Sequence, residues 1–382
     1  MGANTTTLTN ARLLTPEGFR LGWLHAENGR IRSLGTGSLP AEAGPGVDVG
    51  GRTVLPGAVD VHVHGGAGAA FTETDPERLR SIVRFNREQG VTTMVGGLVA
   101  ASPADTLAQV AALAELTEAG EIAGSFLEGP WISEHRHGAH DPALLREPDL
   151  AEFDRIVKAG RGCIRMITVA PELPGALDLI RAAASEGITV AVGHTEATYD
   201  QARAAFDAGA TMATHLYNAM RPFNHREPGP IGAVLNDERV VMELINDGVH
   251  VHPGAAQVAF DAAGSERIAL VTDAMAATGL GDGTYSLGKL EVRVEGGRAL
   301  LADGTIASST IVLPEAIRRA VRDVPGVDLA AAARSAATVP AQALGIPEVG
   351  SLEPGFHADL LVLDDDLGVA GVVHRGEWVR PL

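Results

Sequence analysis

Eight apolar runs of β character, most of them separated by stretches with helical spacing, constrain this chain more than any other feature. The runs are GAVDVHV, VTTMVGGL, AGSFLEG, CIRMITVA, ITVAVGH, TMATHL, VVMELIND and IALVTDA. Segments between them, such as PERLRSIVRFNREQG and PADTLAQVAALAELTEAG, carry the amphipathic period of helices. Such alternation over this length predicts an α/β fold, a (β/α)8 TIM barrel of the metal-dependent hydrolase type. A doubly wound open sheet is the structural alternative, but the G-x-G-x-x-G fingerprint it often carries is missing after the first run. The two ends of the chain differ from the middle. Residues 1–55 and 350–382 read as short β pieces, with hairpin signals at Asn28-Gly29 and around Arg375-Gly376. They are expected to pair into one small β-sandwich domain, leaving 56–349 as the catalytic barrel. A β insertion, YSLGKLEVRVEGGRALLAD, is expected over 285–303.

Composition narrows the partners. The net charge of −18 and pI near 5.1 argue against nucleic acid or an anionic membrane. An anionic small molecule stays open, because a local basic site can lie inside an acidic protein. The single cysteine, Cys163, sits in an apolar run and reads as a buried core thiol. The N-terminus lacks the pattern of a secretory signal, and no apolar run approaches the length of a membrane span, so a cytoplasmic protein is expected.

The polar residues fall where barrel strands end. His62 and His64 close the first strand. One strand position apart in parity, they leave the same face together, with Val61 and Val63 expected on the other. Glu128 ends the third strand, His194 the fifth and His215 the sixth. Asn246, Asp247 and His250 follow the seventh, and Asp273 ends the eighth. Any one of these alone reads as a satisfied structural residue or a helix cap. In a barrel, however, the C-terminal ends of the strands share one rim. Imidazoles and carboxylates gathered there would repel or desolvate one another without a purpose. They suit a divalent metal such as Zn²⁺ or Fe²⁺. A bound divalent ion lowers the pKa of water and polarises a carbonyl, and a nearby carboxylate can carry the proton. Asp273 is the best placed for that role, and metal-assisted hydrolysis of an amide or a related bond is the expected chemistry.

Taken in order, PGAVDVHVHG, LEGPW, GAHDP, VGHT, THLYNAM, NHREPGPIG, NDGVH and VTDAMAATG resemble the N-acetylglucosamine-6-phosphate deacetylases of the amidohydrolase superfamily. The resemblance covers nearly the whole chain. His-x-His alone marks only the superfamily; THLYNAM followed by HREPGPIG and NDGVH is specific to the deacetylases. The resemblance implies Glu128, His194 and His215 as metal ligands, with Asp273 at the same centre as general base and then acid. It implies a second ion on His62 and His64 in members that hold two, so one or two ions per subunit are expected. Zn is the expected metal, with Fe, Mn and Co as alternatives. His140 would donate a hydrogen bond to the acetamide carbonyl, with Ala139 beside it at the substrate. Asn218, Ala219, Arg226 and His250 would meet the phosphate, with Asp247 next to them. Ile306, Ala307 and Ser308 would line the sugar pocket. Arg226 would reach the active site of a neighbouring copy, which implies a homodimer.

One departure stands out: Ser308, in IASST, occupies a place where the family usually has glycine. The expected reaction is hydrolysis of N-acetyl-D-glucosamine 6-phosphate to D-glucosamine 6-phosphate and acetate, in amino-sugar catabolism and cell-wall recycling. The alternatives are N-acetylgalactosamine 6-phosphate as substrate, another amidohydrolase such as a cyclic amidase, and a non-catalytic sugar-phosphate sensor on the same barrel.

Overall fold

A computed structural model describes residues 5–382. The eight apolar runs become the strands of one parallel sheet: β1 Ala58–Val63, β2 Val91–Val99, β3 Gly124–Glu128, β4 Ile164–Val169, β5 Thr189–Val192, β6 Met212–Ala213, β7 Val241–Ile245 and β8 Ile268–Val271. They lie side by side in chain order. A parallel bridge between Val63 and Ala274, with the Asp273 N–H donating to the His62 carbonyl at 2.8 Å, brings the eighth strand back to the first. The sheet is a nearly closed barrel.

Several helices start where a side chain caps them. Asp75 accepts from the Glu77 N–H ahead of the helix Pro76–Glu88, and Ser102 caps Pro103–Glu118 in the same way. Thr198 and Gln201 form a capping box on Tyr199–Ala208. Pro314 is the second residue of the helix Leu313–Asp323, in the first turn, where its missing N–H leaves no bond unmade.

The barrel interior has a dry layer. Val59, Val61, Val95, Phe126, Met166, Met212 and Val271 pack there with Ala341 and Leu344, which come from the segment of the short helix Thr338–Ala343. Val63 instead joins the outer layer with Phe71, Leu79 and Ile82. The two valines therefore do not share a face, as strict alternation had them. Pairing of β1 with β2 is irregular between Asp60 and Val63, and such an irregularity re-aims the residues that follow.

Strands from both ends of the chain make a second, mixed sheet. Its main order is Glu377–Arg380, Val369–His374, Leu360–Leu363, Thr53–Pro56, Thr5–Thr15, Gly18–Glu27, Arg30–Gly35. Both hairpins turn where expected: Asn28 and Gly29 at φ 50° and 78°, Arg375 and Gly376 at 47° and 75°. These positive values fit a type I′ connection. A third, antiparallel sheet runs over Gly283–Leu287, Leu290–Glu295, Arg298–Leu300 and Ile306–Ser308. Its apolar side packs on Val99, Ala139, Met275 and Ala277, which sets it over the rim of the barrel. Cys163 is buried, as expected. Among the described residues no helix is long and apolar enough to cross a membrane.

Candidate metal centre and active site

The ends of β1, β3, β5, β6 and β8 deliver their polar residues to one place. Two groups of three could each hold an ion: Glu128 with His194 and His215, and His62 with His64 and Asp273. All six are buried. In the first group Glu128 Oε1 lies 2.9 Å from Nε2 of both His194 and His215, and those two nitrogens are 3.0 Å apart. In the second, the Nε2 atoms of His62 and His64 are 3.1 Å apart and lie 3.5 and 3.3 Å from Asp273 Oδ1. Ligands about 2.0 Å from a tetrahedral ion stand roughly 3.3 Å from one another. Both triangles fit that spacing. Glu128 straddles them, for its Oε2 is 3.1 Å from His64 Nε2.

The backbone bends to make this possible. His194, His215 and Asp273 sit at φ 46°, 26° and 50°, in the left-handed region that residues with a Cβ avoid. Each comes just past the end of a strand, where the chain must leave the ladder and still aim a side chain at the mouth. The rings are held from behind. His194 Nδ1 donates to the Arg136 carbonyl at 2.8 Å, and His62 Nδ1 to Glu243 at 2.8 Å, so both Nε2 lone pairs face the centre. His64 Nδ1 and His215 Nδ1 are buried without a hydrogen-bond partner among the described residues.

The electrostatics match the geometry. Burial opposes charge on every group here, yet the His62 and His194 rings beside Glu128 hold its carboxyl well below the usual carboxylate range. Burial likewise works against Asp273, and hydrogen bonds from His62 and His64 hold it low. His64 is pulled up to about 9 against its burial, by Asp273 and Glu128. Carboxylates that draw protons onto neighbouring imidazoles are the same groups whose charge a divalent cation satisfies, displacing those protons. The donor set fits such an ion.

A cavity of about 320 Å³ opens from this centre. It is lined by His64, Glu128, His194, His215 and Asp273, and by Ala139, His140, Asn218, Ala219, His250, Ile306 and Ala307 from the predicted substrate set. His140 is buried, and burial pushes it down to about 4. Its Nδ1 accepts the Ala100 N–H at 3.2 Å, so the neutral ring carries its proton on Nε2. Asp247 pairs with His250 Nδ1 at 2.7 Å and accepts its main-chain N–H at 2.8 Å. Burial works against a charge on His250, but Asp247 raises its pKa. Asp247 thus stands behind His250 and does not line the cavity.

Two more residues of the predicted substrate set lie outside the cavity lining. Ser308 turns its hydroxyl onto the Asp273 carbonyl oxygen, with Asp273 Oδ1 at 3.5 Å, rather than into the sugar pocket. Arg226 is exposed on the loop after β6 and forms no ion pair with its neighbour Glu227, whose carboxylate accepts the Tyr199 and Gly229 N–H groups. The sequence reading also missed residues. His135, Arg136 and His137, from the polar loop after LEGPW, line the cavity, and Arg136 pairs with Glu196. The carboxylates of Asp60 and Glu243 had no assigned part. Asp60 is fully buried, burial raises it to about 6, and it accepts the Thr272 hydroxyl at 2.6 Å. A carboxylate in the middle of an apolar strand run was the available signal for both.

A metal-assisted hydrolase on a barrel is the class that this fold and rim define. The model of the amidohydrolase family matches residues 53–379, and the chain belongs to that family. Within it the chain is similar to an N-acetyl-D-glucosamine-6-phosphate deacetylase from Mycobacterium smegmatis, solved as a point mutant in complex with N-acetyl-D-glucosamine-6-phosphate. That structure is 47% identical with a TM-score of 0.95, over 99% of this chain and 100% of the other. An N-acetylgalactosamine-6-phosphate deacetylase from Escherichia coli O157:H7 is 37% identical over 98% of this chain and 99% of its own length. An N-acetylglucosamine-6-phosphate deacetylase from Vibrio furnissii is 36% identical over 92% and 89%.

Proposed function

We propose that this protein hydrolyses the acetamide of N-acetyl-D-glucosamine 6-phosphate, giving D-glucosamine 6-phosphate and acetate. The observation that carries the reading is the pair of three-residue ligand groups joined through Glu128 at the floor of the cavity. Glu128, His194 and His215 would hold one divalent ion, and His62, His64 and Asp273 a second. When bound, such an ion supplies Lewis acidity, polarising the carbonyl and making water more acidic. Zinc suits the imidazole and carboxylate donors best.

The chain's own residues supply the rest. Asp273 takes the proton from the attacking water and passes it to the amine nitrogen as the C–N bond breaks. His62 and His64 hold it ionised against its burial, and an ionised carboxylate is the form that can take up that proton. The His140 Nε2–H, 3.5 Å from Glu128 Oε2 at the cavity wall, would donate to the acetamide oxygen as negative charge grows there. Asn218, the Ala219 main chain and His250 would meet the phosphate, and the Asp247 contact favours the cationic form of His250. Ile306, Ala307 and Ala139 would bound the sugar, with Ser308 behind Asp273. Arg226, on an exposed loop, would serve the site of a neighbouring copy in a homodimer, where its planar fork matches phosphate oxygens.

The similarity to the Escherichia coli relative favours a second substrate, N-acetylgalactosamine 6-phosphate. Acetate release from the two phosphorylated sugars, measured side by side with the metal-loaded protein, decides between them. Faster release from the gluco substrate is expected, and no release from either would overturn the reading.

A further inference from the structure

Glu243 lies in the middle of β7 with no solvent exposure, between Met242 and Leu244. A buried carboxylate in an apolar strand is costly unless it is paired. Its Oε2 accepts two hydrogen bonds, from His62 Nδ1–H at 2.8 Å and from the His215 main-chain N–H at 3.1 Å. Its main-chain carbonyl accepts the Leu216 N–H at 2.8 Å. Its other oxygen, Oε1, is buried with no hydrogen-bond partner among the described residues. So a single carboxylate oxygen touches a side chain of one ligand group and the backbone of the other.

This contact decides what His62 can do. A neutral imidazole has one N–H and one lone pair. With Nδ1–H committed to Glu243, the lone pair is on Nε2, facing His64 Nε2 at 3.1 Å and Asp273 Oδ1 at 3.5 Å. The main chain of His62 is fixed separately, by Asp60 Oδ1 accepting its N–H at 3.2 Å. The Glu243 side chain reaches the Glu128 group only through the His215 main-chain N–H, and no side chain of that group leans on it. His194 leans on the Arg136 carbonyl, and the strap from Leu216 to Glu243 is backbone only. The two groups therefore depend on the Glu243 side chain to different degrees.

We infer that Glu243 is a positioning residue that holds His62 so that the group of His62, His64 and Asp273 retains a divalent cation of its own. The inference rests on reading the rim as a divalent-metal centre. Losing a carboxylate behind a ligating imidazole typically weakens metal affinity by about 10- to 100-fold, and that loss falls on the His62 group.

The test uses the full chain, stripped with a chelator and titrated with Zn²⁺ alone. Ions per chain are counted by elemental analysis after dialysis, and circular dichroism checks the fold. The wild type is expected to retain two ions. Glu243→Gln is expected to retain one, with the second bound about 10- to 100-fold more weakly. His62→Ala, which leaves Glu243 in place, is expected to match it. Glu243→Asp, shorter by one methylene, serves if the glutamine variant does not fold, and is expected to weaken the second ion as well. Two ions with wild-type affinities in whichever Glu243 variant folds would overturn the inference, and so would a wild type that saturates at one. Failure of the underlying reading looks different: a wild type that binds no divalent ion and releases no acetate from the sugar phosphate removes both.

Discussion

The lower and upper layers of the barrel interior are built from the same strands and from opposite materials. Phe126 and Glu128 are two residues apart on β3, and Val271 and Asp273 two apart at β8. In each pair the first packs in the dry layer and the second in the ligand groups. The lower layer is satisfied by shape alone, and the helix segment carrying Ala341 and Leu344 completes it. In the upper layer three buried carboxylates, Glu128, Asp273 and Glu243, face four imidazoles within hydrogen-bond range. That layer is satisfied by contacts between carboxylates and imidazoles and by main-chain groups behind them. One step along a strand thus separates the residues that hold the barrel together from those that do its chemistry.

Substitutions that separate the two layers test this division. The largest effect is expected from Glu128→Gln, since Glu128 touches both ligand groups. Acetate release should fall to background and elemental analysis should show bound metal lost, while circular dichroism stays that of the folded barrel. Asp273→Asn keeps the shape and removes the proton acceptor, so kcat should fall by roughly 10²- to 10⁴-fold. A value of kcat near that of the wild type would take the general base elsewhere. In the lower layer Met166→Ala, a change away from the ligand rings, should cost about 2–5 kcal/mol of stability in chemical denaturation. Metal content and activity per folded molecule should be unchanged, and a loss of bound metal would show that the layers are not separate. Arg226→Ala lies outside both. It should raise KM for the phosphorylated sugar by about 10- to 100-fold, the worth of a hydrogen bond between charged groups. An unphosphorylated analogue should be unaffected. The smallest effect is expected from Ser308→Gly, which removes the hydroxyl behind Asp273. A change in kcat within about tenfold, roughly the worth of one neutral hydrogen bond, is the expected outcome.

The barrel was legible because a parallel strand buried on both faces must be an apolar run, and eight such runs stand out from the amphipathic helices between them. The residues at the strand ends were legible for the converse reason: an ionisable group at the end of an apolar run is conspicuous. Three features were not. The irregularity in β1 that sends Val61 and Val63 to different faces leaves no trace in VDVHV, because either side of the strand is apolar. The contact of Glu243 with His62 joins residues 181 positions apart, so spacing along the chain carries no information about it. His135, Arg136 and His137 look like an ordinary polar loop, and only the folding of that loop over the mouth brings them to the cavity.

The left-handed backbones of His194, His215 and Asp273 have a consequence for the protein's lifetime. Conformations of this kind cost about 1–2 kcal/mol each, and a cation that draws the three side chains inward offsets that cost. A chain starved of its ion carries the strain uncompensated, opens more often, and is expected to be degraded sooner, so the quantity of this protein in a cell should follow the supply of metal.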